Sequence, residues 1–456
     1  MKKPYTARVL IITALAATIL LLAGGRLGNN LAGRYSRKQE ANTVGAKNVS
    51  QPVEISITHW SAAYREAIEQ AIEEYAQKDK DNIRIKIVKI PRDRYNETVN
   101  MLMTSGQGPD ILGLDEVMQA AYVLRNWAAN LTKYVDEDFF EKFPQWAIEF
   151  SKDPIYSGRF YTIPCSIITF RLIYNKEMFK KAGLDPEKPP ETLDDLRLYA
   201  NRITHSNGLE RKYGFALPAG EEWIAFIHSM EMPNTISGIY YYDFEKNEYD
   251  LTVYESWFKE ILAMKEEGSL FPGETSLKYD TARAQFAQGN IGMMYACSWD
   301  PSVFAHTFSV NFEWGVAMPP LLDRTSKGKH LVCIGPGTCY IVNPNTKNME
   351  EAVKVWKYLY SEEYLGALYK SGVELPILKG MIGNTFFKPF GIYNFDMFIP
   401  GQGDSDYLIV PRKDKAWENR SALYLDIISG EHNGKKININ EIRDILTEGN
   451  IALNGF

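Results

Sequence analysis

The stretch "VEISITHWSAAYREAIEQAIEEYAQ" (residues 53–77) decides the fold of this chain. Its first half alternates apolar and polar residues from Val53 to Ile57, which predicts a β-strand. Its second half repeats apolar residues at helical spacing, which predicts an amphipathic helix. Because a strand followed by a helix, several times over, favours a parallel sheet with helices on its faces, an α/β fold is expected. The pattern continues in "IRIKIVKI" (83–90), "DRYNETVNMLMTSG" (93–106) and "PDILGLD" (109–115).

The rest of the chain continues this mixture of strands and helices. Apolar runs predict strands over 291–299, 315–320 and 339–345. Helical periodicity predicts helices over 191–204 and 254–268, and one long amphipathic helix over 349–372. No internal repeat is visible, so the fold is not a repeat array.

Length and charge limit the class of protein. A chain of 456 residues is too long for one small core and predicts two or three domains, or one two-lobed unit. Residues 1–52 hold eight Lys or Arg and one acid, so 43 basic and 56 acidic residues remain in the body, which has a net charge of −13. An acidic body without a basic run argues against nucleic-acid binding.

The N-terminal segment predicts export. Three basic residues precede an apolar run of 15 residues, Val9 to Ala23. Because a membrane-spanning helix needs about 20 apolar residues, residues 1–25 are interpreted as a signal peptide cleaved after Gly25. A short uncleaved anchor is the alternative. Residues 26–52 lack apolar periodicity and are interpreted as a flexible linker.

Polar and aromatic residues follow the predicted strands of the first region. Trp60 ends the first strand, Arg92 follows the second, and Asp115 and Glu116 follow the third. In open α/β sheets, ligands bind at the carboxyl ends of the strands. An aromatic ring that stacks on C–H faces, next to carboxylates that accept hydroxyl hydrogen bonds, suits a polyhydroxylated ligand. The alternative is that these residues are solvated strand ends.

Motifs for catalysis and metal binding are absent from the sequence. It has no H-E-x-x-H and no G-x-S-x-G, and its six histidines lack ligand spacing. We therefore expect no metal, no cofactor and no enzymatic activity. The alternative is a carbohydrate-active enzyme that uses Glu116 or Glu222 as an acid or base. Of the four cysteines, Cys333 and Cys339 lie close enough in sequence that a disulfide between them stays open.

Several motifs occur in a fixed order along the body. The longest is "YTIPCSIITFRLIYNKEMFKKAGLDPEKPPETLDDL" (161–196). Together they resemble the bacterial extracellular solute-binding proteins of family 1, the sugar-binding components of ABC importers, which include maltose-binding proteins. We interpret the motif residues themselves as supporting the fold rather than the ligand. The other motifs are "SGQGPDILGLD" (105–115), "FAQGNIGMMYACSW" (286–299), with Gly292 where relatives usually have alanine, and "GPGTCYIVNPNTKNMEEAVKVWKYLYSEEY" (335–364).

The resemblance implies a periplasmic-binding-protein-like fold of type II. In such a fold two α/β lobes, each a mainly parallel sheet flanked by helices, are joined by a hinge of several strands. The implied lobes are 53–163 with 321–377, and 164–320 with 378–456. Such proteins bind a ligand by hinge closure. The implied role is the capture of a carbohydrate, an oligosaccharide, for the membrane subunits of an ABC importer.

The resemblance also implies a set of pocket residues and a location. The protein is expected to be a monomer that is exported and attached to the membrane, if at all, only through its N-terminal segment. Gly25 stands where Gram-positive relatives typically have the lipidated cysteine. A sensory binding protein remains an alternative to a transport component. The residues implied as ligand-binding are Trp60, Asp115, Glu116, Glu222, Trp223, Trp299 and Trp417.

Overall fold

The computed structural model of the chain describes residues 51–61, 66–78, 82–152, 156–205, 211–221, 237, 239, 241–243, 245–326, 334–382, 389, 391–400 and 414–454. The strands are β1 (Val53–Ser61), β2 (Ile83–Pro91), β3 (Ile111–Leu114), β4 (Ser166–Asn175), β5 (Tyr213–Ala216), β6 (Tyr242–Asp243), β7 (Glu248–Tyr249), β8 (Ile291–Cys297), β9 (Trp314–Ala317), β10 (Ile334–Pro336), β11 (Cys339–Val342), β12 (Leu375–Pro376), β13 (Glu431–His432) and β14 (Lys435–Lys436). The helices are α1 (Glu66–Lys78), α2 (Tyr95–Thr104), α3 (Glu116–Leu124), α4 (Glu137–Glu141), α5 (Gln145–Ser151), α6 (Lys176–Lys181), α7 (Leu193–His205), α8 (Glu255–Glu266), α9 (Tyr279–Ala287), α10 (Asp300–His306), α11 (Met349–Tyr358), α12 (Glu362–Lys370), α13 (Asp414–Ser429) and α14 (Ile442–Asn454).

The first sheet has four strands in the order β11-β3-β1-β2. β1 pairs in parallel with both β2 and β3, and β11 joins the edge antiparallel to β3. The alternating residues Ile55 and Ile57 are fully buried beneath helices that include α1 and α11. The parallel sheet predicted from residues 53–115 is confirmed.

The second sheet has six strands and is mixed. β4 lies at its centre and pairs antiparallel with β8, β9, β10 and β12, whereas β5 and β8 are parallel. The prediction of a mainly parallel sheet in each lobe is therefore wrong for this sheet. The reason is that the central strand β4 is antiparallel to all four strands that pair with it. Among the described strands of this sheet, only the pairing of β5 with β8 is parallel.

Each sheet has its own apolar core. Around the first sheet pack Trp356, Tyr364 and other buried residues, a region we call the first lobe. Around the second sheet pack Trp257, Tyr295 and their neighbours, which form the second lobe. Phe395 packs in the core of the first lobe and Phe398 in that of the second.

Three segments lie side by side where the two sheets meet, and we call them the crossover ribbon (164–167, 336–339 and 375–376). Pro164 forms a β-bridge with Cys339. The amide of Thr338 donates to Ser166 Oγ over 3.0 Å, and the amide of Gly337 donates to the Ser166 carbonyl over 2.9 Å. β12 pairs with the first two residues of β4. The two lobes are thus joined by hydrogen-bonded strands rather than by one loose linker.

The long helix predicted over 349–372 is two helices, α11 and α12. Ser361 interrupts it, because its side chain accepts a hydrogen bond from the Tyr364 amide over 3.2 Å and so starts a new helix. The N-cap preference of serine outweighs the continuous apolar periodicity at this point.

The motif residues hold the backbone together, as the sequence predicted. The Asp110 carboxylate accepts from the Ser56 amide over 2.8 Å, from Ser56 Oγ over 2.6 Å and from Thr346 Oγ1 over 2.5 Å. Asn175 caps α6, and Thr192 and Asp195 exchange hydrogen bonds before α7. Among the described residues, no helix has the length and apolar character needed to cross a membrane.

Candidate functional site

The carboxyl ends of strands in both sheets lie next to the crossover ribbon. Leu114, the last residue of β3, pairs with Cys339 of the ribbon. In the second sheet, the amide of Ser298, just past β8, donates to the Thr169 carbonyl over 2.9 Å, and Thr169 pairs with Ile334 of β10. Because ligands of open α/β sheets bind at strand carboxyl ends, the candidate site is the region that these two edges border.

On the first lobe, three residues from three strand ends come together. The Arg92 guanidinium lies over the Trp60 ring, 4.9 Å from its centroid. It also donates from Nη2 to Asp115 Oδ2 over 3.1 Å. The side chains of Arg92 and Asp115 are 26% and 24% exposed. This arrangement presents an aromatic ring, a cation and an anion at one edge, with the two charges compensating each other.

Trp60 itself is mostly buried. It is 7% exposed and its ring meets the Tyr95 ring edge-on, with 5.7 Å between centroids. Its low exposure and the Arg92 guanidinium over one face leave little of the Trp60 ring open to a ligand. Trp60 as a direct ligand contact therefore stays a prediction.

Asp115 combines a partly exposed side chain with a structural role. Its Oδ1 accepts a hydrogen bond from the Met118 amide over 3.0 Å and caps the N-terminus of α3. Its Oδ2 is the atom that pairs with Arg92. The cap fixes the carboxylate in place before any ligand arrives. Glu116 is the first residue of α3, and its side chain lies outside the described residues.

On the second lobe, Trp299 stands between β8 and α10. It is partly buried and packs against the core of that lobe. The amides of Ser302 and Val303 each donate to its carbonyl over 3.1 Å, so the residue is part of the first turn of α10. A large aromatic side chain that is only partly buried at a strand end agrees with the predicted site.

A buried polar cluster that the sequence analysis missed is built around Asp300, the residue that follows Trp299. The Asp300 carboxylate accepts hydrogen bonds from Arg283 Nε over 2.7 Å and from the Cys297 amide over 2.5 Å, and Tyr279 Oη also donates to it. Asp300, Arg283 and Tyr279 are 0%, 3% and 1% exposed. Burial raises the pKa of the Asp300 carboxyl, and the nearby guanidinium opposes that shift. Tyr279 and Asp300 are 21 residues apart, and no local pattern signals their contact.

Three further predicted pocket residues, like Glu116, have side chains that the structure does not describe. Glu222 and Trp223 lie outside the described residues, and the "PAGEEW" loop is described only as far as Glu221. Trp417 is part of α13, and its side chain lies outside the described residues. Cys333 also lies outside the described residues, so the structure does not test a disulfide between Cys333 and Cys339. Within the part of the chain that the structure describes, no three His, Cys, Asp or Glu side chains form a group suited to a metal ion.

Comparison with known proteins identifies the class. The sequence model of the bacterial extracellular solute-binding proteins matches residues 60–365 of this chain, so the chain belongs to that family. The predicted family is confirmed. Proteins of this family bind solutes outside the cell, which agrees with export.

Relatives and solved structures extend this result. The sn-glycerol-3-phosphate-binding periplasmic protein of Escherichia coli K12 is 26% identical over 321 residues, which is 66% of this chain and 69% of that protein. The cyclic alpha-maltosyl-1,6-maltose binding protein of Arthrobacter globiformis superposes with a TM-score of 0.68 at 18% identity, covering 89% of this chain and 98% of that one. The GacH receptor of Streptomyces glaucescens, solved with acarbose, gives 0.70 at 18% identity, covering 89% and 99%. The structural likeness confirms the two-lobed type II fold.

Proposed function

We propose that this protein captures a carbohydrate, an oligosaccharide, between its two lobes and delivers it to an ABC importer. The observation that carries the proposal is the position of Trp299 and of the Trp60–Arg92–Asp115 group at strand ends of the two sheets, beside the crossover ribbon. Solved structures with the same fold include proteins named for binding cyclic alpha-maltosyl-1,6-maltose and acarbose.

The chemistry of these groups favours a neutral polyhydroxylated ligand. An aromatic ring offers a flat apolar surface to sugar C–H groups. Asp115 and Arg92, already paired at 3.1 Å, offer an acceptor and a donor for hydroxyls. Because the charges of Arg92 and Asp115 compensate each other, this pair adds no net positive charge that would attract a phosphate or a uronate. That balance argues for a neutral sugar over the phosphorylated ligand in the name of the E. coli relative.

Closure around the ribbon supplies the mechanism. A ligand that contacts both lobes binds the closed form better and shifts the population towards it. The lobes that we propose to move are those expected from the sequence, 53–163 with 321–377 and 164–320 with 378–456, with two changes at their boundaries. Leu378, Met381 and Phe395 pack in the core of the first lobe, and Leu321 packs in that of the second. A fall in the radius of gyration on ligand addition, measured by small-angle scattering, tests this motion, and an unchanged radius contradicts it.

We further propose that the protein acts as an exported monomer. Residues 1–25 serve as a signal peptide cleaved after Gly25, and residues 26–52 as the linker to the body. Mass spectrometry of the mature protein is expected to find Arg26 as the first residue. An intact N-terminus would instead favour the uncleaved anchor. Gel filtration with light scattering tests the monomeric state.

Titration calorimetry of the full chain tests the function. We expect heat of binding with neutral oligosaccharides such as maltotriose, raffinose or xylotriose, and none with sn-glycerol 3-phosphate. Replacing Trp299 by alanine is expected to weaken binding by roughly 1–3 kcal/mol, the scale of a lost aromatic contact in a pocket. The matched control is Trp127→Ala, because Trp127 lies beyond the opposite end of α3 from Asp115. Equal affinity of the Trp299 variant and the wild-type protein contradicts the assignment of Trp299.

The enzymatic alternative is tested in the same samples. If the bound oligosaccharide is recovered unchanged after long incubation, the protein binds without hydrolysis. The appearance of new reducing ends would support a glycosidase that uses Glu116 or Glu222.

A further inference from the structure

We propose that Tyr279, Arg283 and Asp300 are positioning residues that fix Trp299 for the ligand, so that ligand affinity depends on a cluster that does not touch the ligand. The inference rests on the proposed function, because it assigns Trp299 a place in the carbohydrate site. It goes beyond that function in naming what sets the geometry of this tryptophan.

The contacts of Asp300 close a short loop around Trp299. Asp300 Oδ2 accepts from the amide of Cys297, the last residue of β8, over 2.5 Å. The Asp300 side chain therefore links Asp300, which follows Trp299, to Cys297, which lies two residues before Trp299. The two residues between, Ser298 and Trp299, form the turn from strand to helix, and the path of that turn is set by this bond.

Two residues from α9 hold the carboxylate from the other side. Arg283 donates from Nε to Asp300 Oδ1 over 2.7 Å, and Tyr279 Oη donates to Oδ2. The Arg283 guanidinium also lies over the Tyr279 ring, 3.9 Å from its centroid, and pairs with Asp280 Oδ1 at 2.7 Å. Because the three central side chains are almost fully buried, the low local dielectric strengthens these bonds and limits movement of the group.

The opposite side of the turn is attached to β4, two residues past the end of the crossover ribbon. The Ser298 amide donates to the Thr169 carbonyl over 2.9 Å, on the central strand β4. The turn that carries Trp299 is therefore fixed between the hinge-proximal part of β4 and the buried ion pair from α9. A change in the ion pair shifts this turn relative to the ribbon, and with it the ring that meets the ligand.

A double-mutant cycle with maltotriose as the probe tests the inference. Tyr279→Phe removes only the hydroxyl that donates to Asp300. We expect it to raise the Kd for maltotriose roughly 3- to 10-fold in the wild-type background, the range of coupling through a contact network. In the Trp299→Ala background the same change is expected to alter the Kd less than about 2-fold. Hydrogen exchange of the amides of residues 297–300, 302 and 303 is expected to speed up in Tyr279→Phe without ligand.

A matched control separates positioning from loss of stability. Tyr174→Phe also removes a tyrosine hydroxyl from the second lobe, one that donates to the Pro186 carbonyl over 2.9 Å near the far end of β4. It is expected to lower the melting temperature without changing the Kd. All affinities are measured well below the melting temperature of each variant.

The outcomes distinguish this inference from the proposed function. An unchanged Kd in Tyr279→Phe, or equal effects of that change with and without Trp299, overturns the inference and leaves the function standing if Trp299→Ala still weakens binding. An unchanged Kd in Trp299→Ala overturns both the Trp299 assignment and the inference. A wild-type protein that gives no heat with maltotriose, raffinose or xylotriose overturns both.

Discussion

Replacing Asp110 by alanine should unfold the protein more easily without changing ligand binding. The change removes a carboxylate that accepts three hydrogen bonds, two from Ser56 and one from Thr346. Hydrogen bonds to charged groups contribute about 1.5–3 kcal/mol each, and the two hydroxyls can turn to water while the Ser56 amide in β1 cannot. We therefore expect the free energy of unfolding to fall by about 3–5 kcal/mol, with an unchanged Kd for the oligosaccharide.

Urea denaturation followed by circular dichroism measures this loss, and calorimetry measures the Kd. Asp138→Ala is the matched control, because Asp138 is exposed on α4, and its effect is expected to stay within about 0.5 kcal/mol. A loss below about 1 kcal/mol for Asp110→Ala would refute the hydrogen-bond argument. A tenfold weaker Kd with little loss of stability would instead assign the Gly-Pro-Asp motif to the ligand.

Two further predictions concern packing and pH. Gly292→Ala restores the residue usual in the family, yet a Cβ there would lie 2.9 Å from Ile203 Cγ2 and 3.1 Å from the Gly214 carbonyl, so we expect a loss of about 1–2 kcal/mol by thermal denaturation. Equal or greater stability would contradict this packing. Hydrogen bonding to Arg197 lowers the pKa of Glu267, so the carboxylate stabilises the fold above its unfolded-state pKa and this contribution is lost as the pH falls through the folded value. The stability difference between the wild-type protein and Glu267→Gln should accordingly be largest near neutral pH and shrink below about pH 4, as urea titrations can show. A difference that grows on acidification would refute this sign.

Local pattern was sufficient for the first lobe and insufficient for the direction of the second sheet. Alternation in 53–60 and 83–90 predicted strands, and the helices between them predicted a parallel arrangement. In the second lobe, the strands that pair with β4 come from far along the chain, between residues 291 and 376. Periodicity reports which face of a strand is buried and not which way its neighbour runs.

The candidate site was predicted only in part, because local pattern does not report contacts between distant segments. The rule that strand carboxyl ends share one edge placed Trp60, Arg92 and Asp115 together, and their contacts at 4.9 and 3.1 Å confirm that proximity. The covering of Trp60 by Arg92 depends on side-chain conformation and has no sequence signal. The cluster around Asp300 joins a helix to a later turn, and only tertiary packing brings them together.

The continuity of β4 has a mechanical consequence. The strand starts in the crossover ribbon at Ser166 and runs to Asn175 at the far side of the second lobe, a length of about 30 Å for an extended chain. In the lobe rotation that we propose, each degree of turn at the ribbon would carry the far end of β4 about 0.5 Å. A small rotation would thus give a measurable displacement at that end. A spectroscopic label on Lys180, just beyond that end, would amplify lobe movement for distance measurements against a label on the first lobe.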